Sequence, residues 1–236
     1  MEFCELEARF RKRADDAVAP YFSDSDTVRA WFNEATAEAC IRARLIFDTT
    51  SSFCTIPISA DQAVYTLDPC IDRIAAAWLT ARQTILEGTD QSALDRGSVG
   101  PPRHAHRVSC ASLWGRNWRT RKGSPVYYVQ DGRRLQLVPI PAEADTLNLS
   151  VYRIPTDDEQ MDTPSDEPAI EGKWHERLID WALFRAYDDK DGEENDDSRA
   201  RLALARFEQS FGLRPDANVE RKRNERRART TTINWP

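Results

Sequence analysis

Three histidines are the first residues to weigh for chemistry, and two of them, His104 and His106, alternate as strand neighbours on one face would. Paired imidazoles can hold a metal, but a zinc site needs at least one more ligand. The remaining histidine, His175, lies on a distant helical stretch, and the pair itself sits in "GSVGPPRHAHR", which reads as a basic loop. A metal-dependent enzyme using His104, His106 and His175 is therefore the weakest reading. The acids of Asp188–Asp197, "DDKDGEENDD", put seven carboxylates beside one lysine. A calcium loop counted from Asp189 needs glycine sixth and glutamate twelfth, and those places hold Glu194 and Ala200, so the segment reads as a solvated connection. The five cysteines, Cys4, Cys40, Cys54, Cys70 and Cys110, form no CxxC pair and read as buried, reduced thiols. Phosphate-loop, GxGxxG and GxSxG motifs are absent. Nothing in these spacings supports catalysis, and no cofactor is expected.

The residues that bind rather than react are more telling. Trp114, Arg116, Trp118, Arg119, Arg121 and Lys122 form one basic and aromatic cluster. Such a cluster can stack bases and neutralise phosphates, which makes a nucleic-acid-binding module the alternative function. It can equally cap a strand core while its arginines meet a tail protein or a neighbouring subunit. A second basic group closes the chain. Arg214, Arg221, Lys222, Arg223, Arg226, Arg227 and Arg229 stand against three acids, a net of +4 on a chain whose total is −6. Trp235 lies near the end, an aromatic of the kind that anchors interfaces. An acidic body with a basic arm suits an arm that reaches for an acidic partner, whether protein or DNA.

These groups need elements to carry them. The 236 residues, 40% hydrophobic and 31% charged, suffice for one ordinary domain or two small ones. No apolar run approaches the roughly 20 residues of a membrane span, and the charged start "MEFCELEARFRKRADD" shows no signal peptide, so synthesis in a cytoplasm is expected. Residues 1–19 read as a helix with Phe3, Leu6, Phe10 and Ala14 on one stripe, ended by Pro20. "SDSD" offers N-caps for a second helix running to about Phe47, with Val28, Trp31, Phe32, Ala35, Ala39 and Ile46 on its face. Six strands are expected between 53 and 154. Asp131-Gly132 would form the two-residue turn of a half-buried hairpin, setting Tyr128 opposite Leu135 and Val126 opposite Leu137. After a polar linker, helix returns at Lys173 with Trp174, Leu178 and Trp181, and again from about Ser198 with Ala200, Leu204, Phe207 and Phe211, closed by Gly212. Trp31, Trp174 and Trp181 are expected in the core. The fold class is α+β. A helical bundle (1–50 and 157–212) carries an inserted antiparallel β-sandwich or barrel-like module (51–156) and an extended C-terminal arm (213–236).

The order of the segments resembles the tailed-phage head-to-tail connector proteins, the adaptors beneath the portal ring. The resemblance is carried by "VRAWFNEATAEACIRARLI", by "TIPI" and "YTL", by "WGRNW" followed by "GSPVYYVQDGRRLQLVPIP", by "LSVYRIP" and its acidic linker, and by "HERLIDWALFRAY" and "FEQSFG". It covers about residues 23–212; the first nineteen residues and the Arg-rich tail fall outside it. It implies a structural virion protein and no enzyme. Such adaptors assemble as a homo-oligomeric ring, commonly of twelve subunits, at the portal vertex between capsid and tail. The ring extends the channel for genomic dsDNA. The arm, with Arg214, Arg221, Arg223, Arg226, Arg227 and Trp235, becomes the portal-binding candidate. The strand module becomes the platform for tail nozzle, fibre or spike proteins. Asp188, Asp189, Glu193 and Glu194 become candidate channel lining, where carboxylates would repel passing phosphates.

Overall fold

Phe3, Leu6, Phe10 and Ala14 are all buried along one face of α1 (Phe3–Ala14), as their spacing requires. The computed structural model describes residues 1–95, 117–188 and 196–216. In it α1 stops well before Pro20. Asp15 takes the left-handed conformation at φ 62°, and its N–H closes the helix on the Arg11 carbonyl. A short polar side chain tolerates that conformation better than most, so the stop is built by the C-cap and not by the proline. Helix α2 (Ser25–Ala43) opens on Asp24, whose carboxylate accepts from the Thr27 N–H at 2.6 Å. It ends at Arg44, φ 55°, three residues short of the expected Phe47, and Ile46 passes into a strand.

Two compact units divide the chain: Met1–Ile46 with Arg153–Arg214, and a second built on Phe47–Tyr152. In the first, α1 and α2 share one core with the helices that follow the strands. Residues Gly172–Leu178, expected to be α-helical, form a 3-10 turn that leads into α4 (Ile179–Asp188), named here after the short α3 (Gln91–Asp95) of the other unit. Helix α5 (Asp197–Phe211) is capped by the Asp196 carboxylate on the N–H groups of Ser198 and Arg199. The core is aromatic. Phe32 meets Phe3 and Phe10 edge-on at 6.1 and 6.4 Å between centroids. Phe207 lies 5.0 Å from Trp181 and 4.7 Å from Phe211. Edge-to-face pairing of this kind adds to plain burial. Trp181 is buried, but Trp31 and Trp174 are only partly buried, each packed at the margin of the core.

The second unit is a curled, antiparallel-rich sheet. Its strands are β1 (Ile46–Asp48), β2 (Thr55–Ile58), β3 (Val64–Thr66), β4 (Ile71–Leu79), β5 (Thr84–Gly88), β6 (Lys122–Gly123), β7 (Tyr127–Asp131), β8 (Arg134–Val138), β9 (Ile140–Pro141) and β10 (Asp145–Arg153). All six expected strands are present. The main sheet runs β1-β10-β4-β5-β7-β8-β3, with β2 also on β10, and β6-β9 forms a separate pair. Two pairings, β5 with β7 and β6 with β9, are parallel, against the antiparallel expectation. Parallel neighbours need a long crossover. The chain between Gly88 and Tyr127 supplies that length.

The hairpin differs from expectation by one residue in its loop. Gly132 and Arg133 are the turn, and Tyr128 opposes Leu137 while Gln130 opposes Leu135. Gly132, φ 55°, takes the first central position, where a II′ turn asks for glycine. The shift changes partners without exchanging faces, because it moves the register by two. The hairpin is not half-buried either. Tyr127, Tyr128 and Val129 are all buried in succession. Tyr127, Val129 and Val138 pack with Trp118, Ala93 and Leu94, so α3 and the segment before β6 cover the face expected to be wet.

Candidate docking site

The described arm residues begin where α5 ends, and the chain there is clamped. Gly212 closes α5 with φ 88° and an N–H to the Glu208 carbonyl at 2.7 Å. Arg42, from the last turn of α2, reaches the same point. Its Nη1 donates to the Gly212 carbonyl at 3.3 Å and lies 3.5 Å from the Glu208 carboxylate. A cation suits a helix C-terminus, whose last carbonyls carry partial negative charge. Its Nε donates to Glu38 Oε2 at 3.2 Å, and its guanidinium carbon lies 5.4 Å from the Trp181 ring and 5.3 Å from Phe207. With 6% of its side chain exposed, Arg42 is a buried cation held by carboxylates and ring faces. The second Glu38 oxygen stands 3.5 Å from Nη1 of Arg214, the first arginine of the arm. Thus Arg42, Glu38 and Arg214 form one relay at the start of the arm.

Sequence reasoning found Arg214 and missed the two residues behind it. The signal was present. Val28, Phe32, Ala35, Ala39 and Arg42 fall at spacings of four, three, four and three, so Arg42 occupies an apolar-stripe position. A cation there needs a counter-charge, and Glu38 sits one turn earlier.

A second helical anchor also went unseen. Arg11 and Asp16, both buried, pair at 2.8 Å. Arg11 further donates to Glu7 Oε1 and to the Ser23 carbonyl, and its guanidinium stacks 3.8 Å over Tyr21. Asp16 accepts from the Phe22 N–H at 3.1 Å. The loop between α1 and α2 is thereby pinned while Val18, Tyr21 and Phe22 remain exposed.

Among the described members of the basic and aromatic cluster, Trp118 is 2% exposed, so its ring is not open for stacking on a partner. Its Nε1–H donates to Asp95 Oδ1 at 2.9 Å. Arg119 donates to the other oxygen of Asp95 at 2.9 Å and lies 4.3 Å over the Trp118 ring. These hydrogen bonds, from Arg119 first and Trp118 next, pull the Asp95 carboxyl below its ordinary range. The sequence placed Trp118 at a binding rim because tryptophan beside arginine marks interfaces as readily as cores. Arg121 accepts through its carbonyl from the Ile140 N–H, fixing β6 beside β9. Trp114 and Arg116 lie outside the described residues, as do Arg221, Arg223, Arg226, Arg227 and Trp235.

The metal reading fails where it can be examined. His175 is 1% exposed, and both ring nitrogens have partners: Nε2 meets the Ile170 carbonyl at 2.8 Å and Nδ1 the Met1 amino nitrogen at 3.0 Å. It is a satisfied core histidine. His104 and His106 lie outside the described residues. Among the described residues no group of three His, Cys, Asp or Glu could hold a metal ion. No helix of the described residues is long and apolar enough to cross a membrane. Asp188 is exposed at the end of α4, while Asp189, Glu193 and Glu194 lie outside the described residues. Of the cysteines, Cys40, Cys54 and Cys70 are buried thiols, but Cys4 is exposed, because the stripe of α1 turns Phe3 inward and its neighbour out. Cys110 lies outside the described residues.

A family model described as SU10 adaptor protein matches residues 1–233. The match takes in the first nineteen residues and the arm as far as Ile233, both beyond the reach of the motifs quoted above. No curated protein matches the chain.

Proposed function

Because this chain belongs to the SU10 adaptor protein family, a family of structural phage adaptors and not of enzymes, we propose that it works as the head-to-tail adaptor of a tailed phage. In this reading its copies form a ring, commonly of twelve, beneath the portal at the vertex between capsid and tail. The ring extends the channel through which genomic dsDNA passes. The helical body packs side by side, the strand body offers the platform for nozzle, fibre or spike proteins, and Asp188, Asp189, Glu193 and Glu194 face the lumen. The arm from Arg214 onward docks on the portal.

One observation carries the reading beyond the family name. The arm leaves from a root that is clamped at Gly212 by a buried cation and at Arg214 by a buried carboxylate. A clamped root gives the arm carrying Arg221, Arg223, Arg226, Arg227 and Trp235 a defined starting point for reaching a neighbour. Fixing the root lowers the entropy lost on docking. Basic arm and acidic partner would also attract at long range.

The test is a chain lacking Arg214–Pro236. It should fold with unchanged helix content, since the clamped helices all precede the cut, and fail to join purified portal rings in electron micrographs. A truncated chain that decorates portals as the full chain does would remove the arm from this role.

A further inference from the structure

Val18, Tyr21, Phe22 and Leu213, four of the five large apolar side chains that the described helical unit exposes, lie at its two ends. Helix α1 finishes where α5 begins: Asp15, just past α1, lies 3.8 Å from Arg199 in the first turn of α5. Helix α4 finishes there too, its Tyr187 hydroxyl 3.5 Å from the Arg13 carbonyl oxygen. Helices α2 and α5 finish together at the other end, where Arg42 meets the Gly212 carbonyl. Arg177, just before α4, donates to the Ser210 hydroxyl at that same end. The 15 residues of α5 separate the two ends by about 22 Å.

The first end presents a pinned apolar knob. Val18 is 81% exposed, with Tyr21 and Phe22 exposed beside it in the same loop. A free loop would fold such side chains away, but this one is held. Asp16 accepts from the Phe22 N–H, and buried Arg11 donates to the Ser23 carbonyl and stacks on the Tyr21 ring. Aromatic side chains fixed before contact lose little entropy on docking, and they are of the kind that anchors interfaces. The knob is also acidic. No basic residue lies between Ala14 and Val28, and the exposed Asp15, Asp24 and Asp26 flank the apolar side chains in sequence. Carboxylates there repel phosphate, so neither a nucleic acid nor an anionic membrane fits, whereas a basic and apolar protein surface does.

The opposite end has that chemistry. Leu213 is 73% exposed just past α5, and Arg214 and Arg177 are exposed at the same end. The Trp174 ring, only partly buried, packs on Phe211 at 5.5 Å and has the Lys173 and Arg177 cations 5.6 and 6.0 Å from its centre. Of the acids there, Glu171 is paired with Lys173 and Glu208 with Arg42. We propose that the knob of one copy docks on the Trp174 and Leu213 end of the copy beside it. Unlike patches at opposite ends of one unit make a heterologous contact, the kind that closes rings. The contact rests on the ring reading above and names the surfaces through which neighbouring copies meet. Three anchoring side chains bury far less than the roughly 1,200–2,000 Å² of a stable pairing, so copies hold one another only once a template has set them side by side.

A photoreactive benzophenone amino acid in place of Phe22 tests the contact in the full-length chain. The chain is added to purified portal rings and irradiated. Electron micrographs read whether adaptor rings form, and mass spectrometry reads what position 22 has joined. The expected product is a two-chain adduct between position 22 and the peptide holding Leu213 and Arg214; the length of α5 bars that adduct within one chain. Rings that form with position 22 joined elsewhere, or to nothing, overturn this contact and leave the ring standing. Wild-type chain that leaves portals bare overturns both. Phe22→Ser is the second variant. The Phe22 side chain is exposed and its N–H bond to Asp16 is kept, so unfolding in urea should match the wild type. A complete ring on the portal should then need about tenfold more protein, the effect of losing one anchoring aromatic. Phe22→Ser chains that complete rings at the wild-type concentration would overturn the proposal.

Discussion

In the helical body, buried charges are closed on one another, Arg11 on Asp16 and Arg42 on Glu38, and His175 meets the Ile170 carbonyl, while Arg29 Nε and Trp181 Nε1 are left without a partner. In the strand body the bonding is main-chain pairing completed by a side chain: Gln130 of β7 accepts from the Ile74 N–H and donates to the Asp72 carbonyl of β4, and Thr89 Oγ1 is left without a partner. The contrast follows from the elements. A helix satisfies its backbone internally, so once its side chains are paired it is finished. A sheet pairs its main chain with neighbouring strands, and where β5 gives out between β4 and β7 a carboxamide takes over the pairing. One half of this adaptor is therefore held by side-chain pairs and ring contacts, the other by main-chain pairing and the side chains that complete it.

The most damaging way to challenge that contrast is to open the helical body. Phe207 is fully buried between Trp181 and Phe211, so Phe207→Ala should cost about 3–5 kcal/mol in urea unfolding followed by helical circular dichroism. A cost below about 1 kcal/mol would mean that the ring cluster does not close the body. Asp16→Ala sharpens the point about paired charges. It strips one carboxylate from buried Arg11 and the acceptor from the Phe22 N–H, while Glu7 remains at 2.6 Å. With one partner left, the expected loss is about 2–3 kcal/mol, below that of a fully orphaned charge. Equal stability of Asp16→Ala and the parent would show that the α1–α2 loop does not depend on the pair.

How far the sequence foretold this arrangement also divides by element. The apolar stripes of α1, α2 and α5 were legible because a period near 3.6 repeats over many residues. Their ends were legible where a marked residue stands, Asp24 before α2 and Gly212 after α5, but the stops at Asp15 and Arg44 depend on single left-handed residues that no pattern announces. The six main strands were legible from β-branched and aromatic runs, but β1, β5, β6 and β9 were not, being two to five residues long with no alternation to read. The parallel pairing of β5 and β7 lies outside local sequence altogether. At the candidate docking site, Arg214 stood out by charge, whereas Arg42 and Glu38 were hidden within an otherwise regular stripe. Trp118 was misplaced because an indole beside a guanidinium looks the same whether it faces a partner or, as here, Asp95.

The gentlest probe of the contrast is a closed pair that pH can open. Arg153 donates to Glu159 Oε1 at 2.8 Å, and the Thr156 N–H donates to the other oxygen at 3.0 Å. The arginine bond first, then the backbone bond, hold the Glu159 carboxyl down at about 2 against an ordinary 4.5. A depressed carboxyl stabilises the fold while it is ionised and its unfolded counterpart is too. That contribution is therefore complete above pH 4.5 and is lost as pH falls from there toward 2. Glu159 is 36% exposed, so solvent screening reduces the net effect to about 1 kcal/mol. Glu159→Gln should then unfold at lower urea than the parent at pH 7, with a gap that narrows between pH 4.5 and 3. A gap that stayed constant to pH 3 would place the loss in shape and not in charge, and would make this turn, unlike Arg11 and Arg42, a matter of packing.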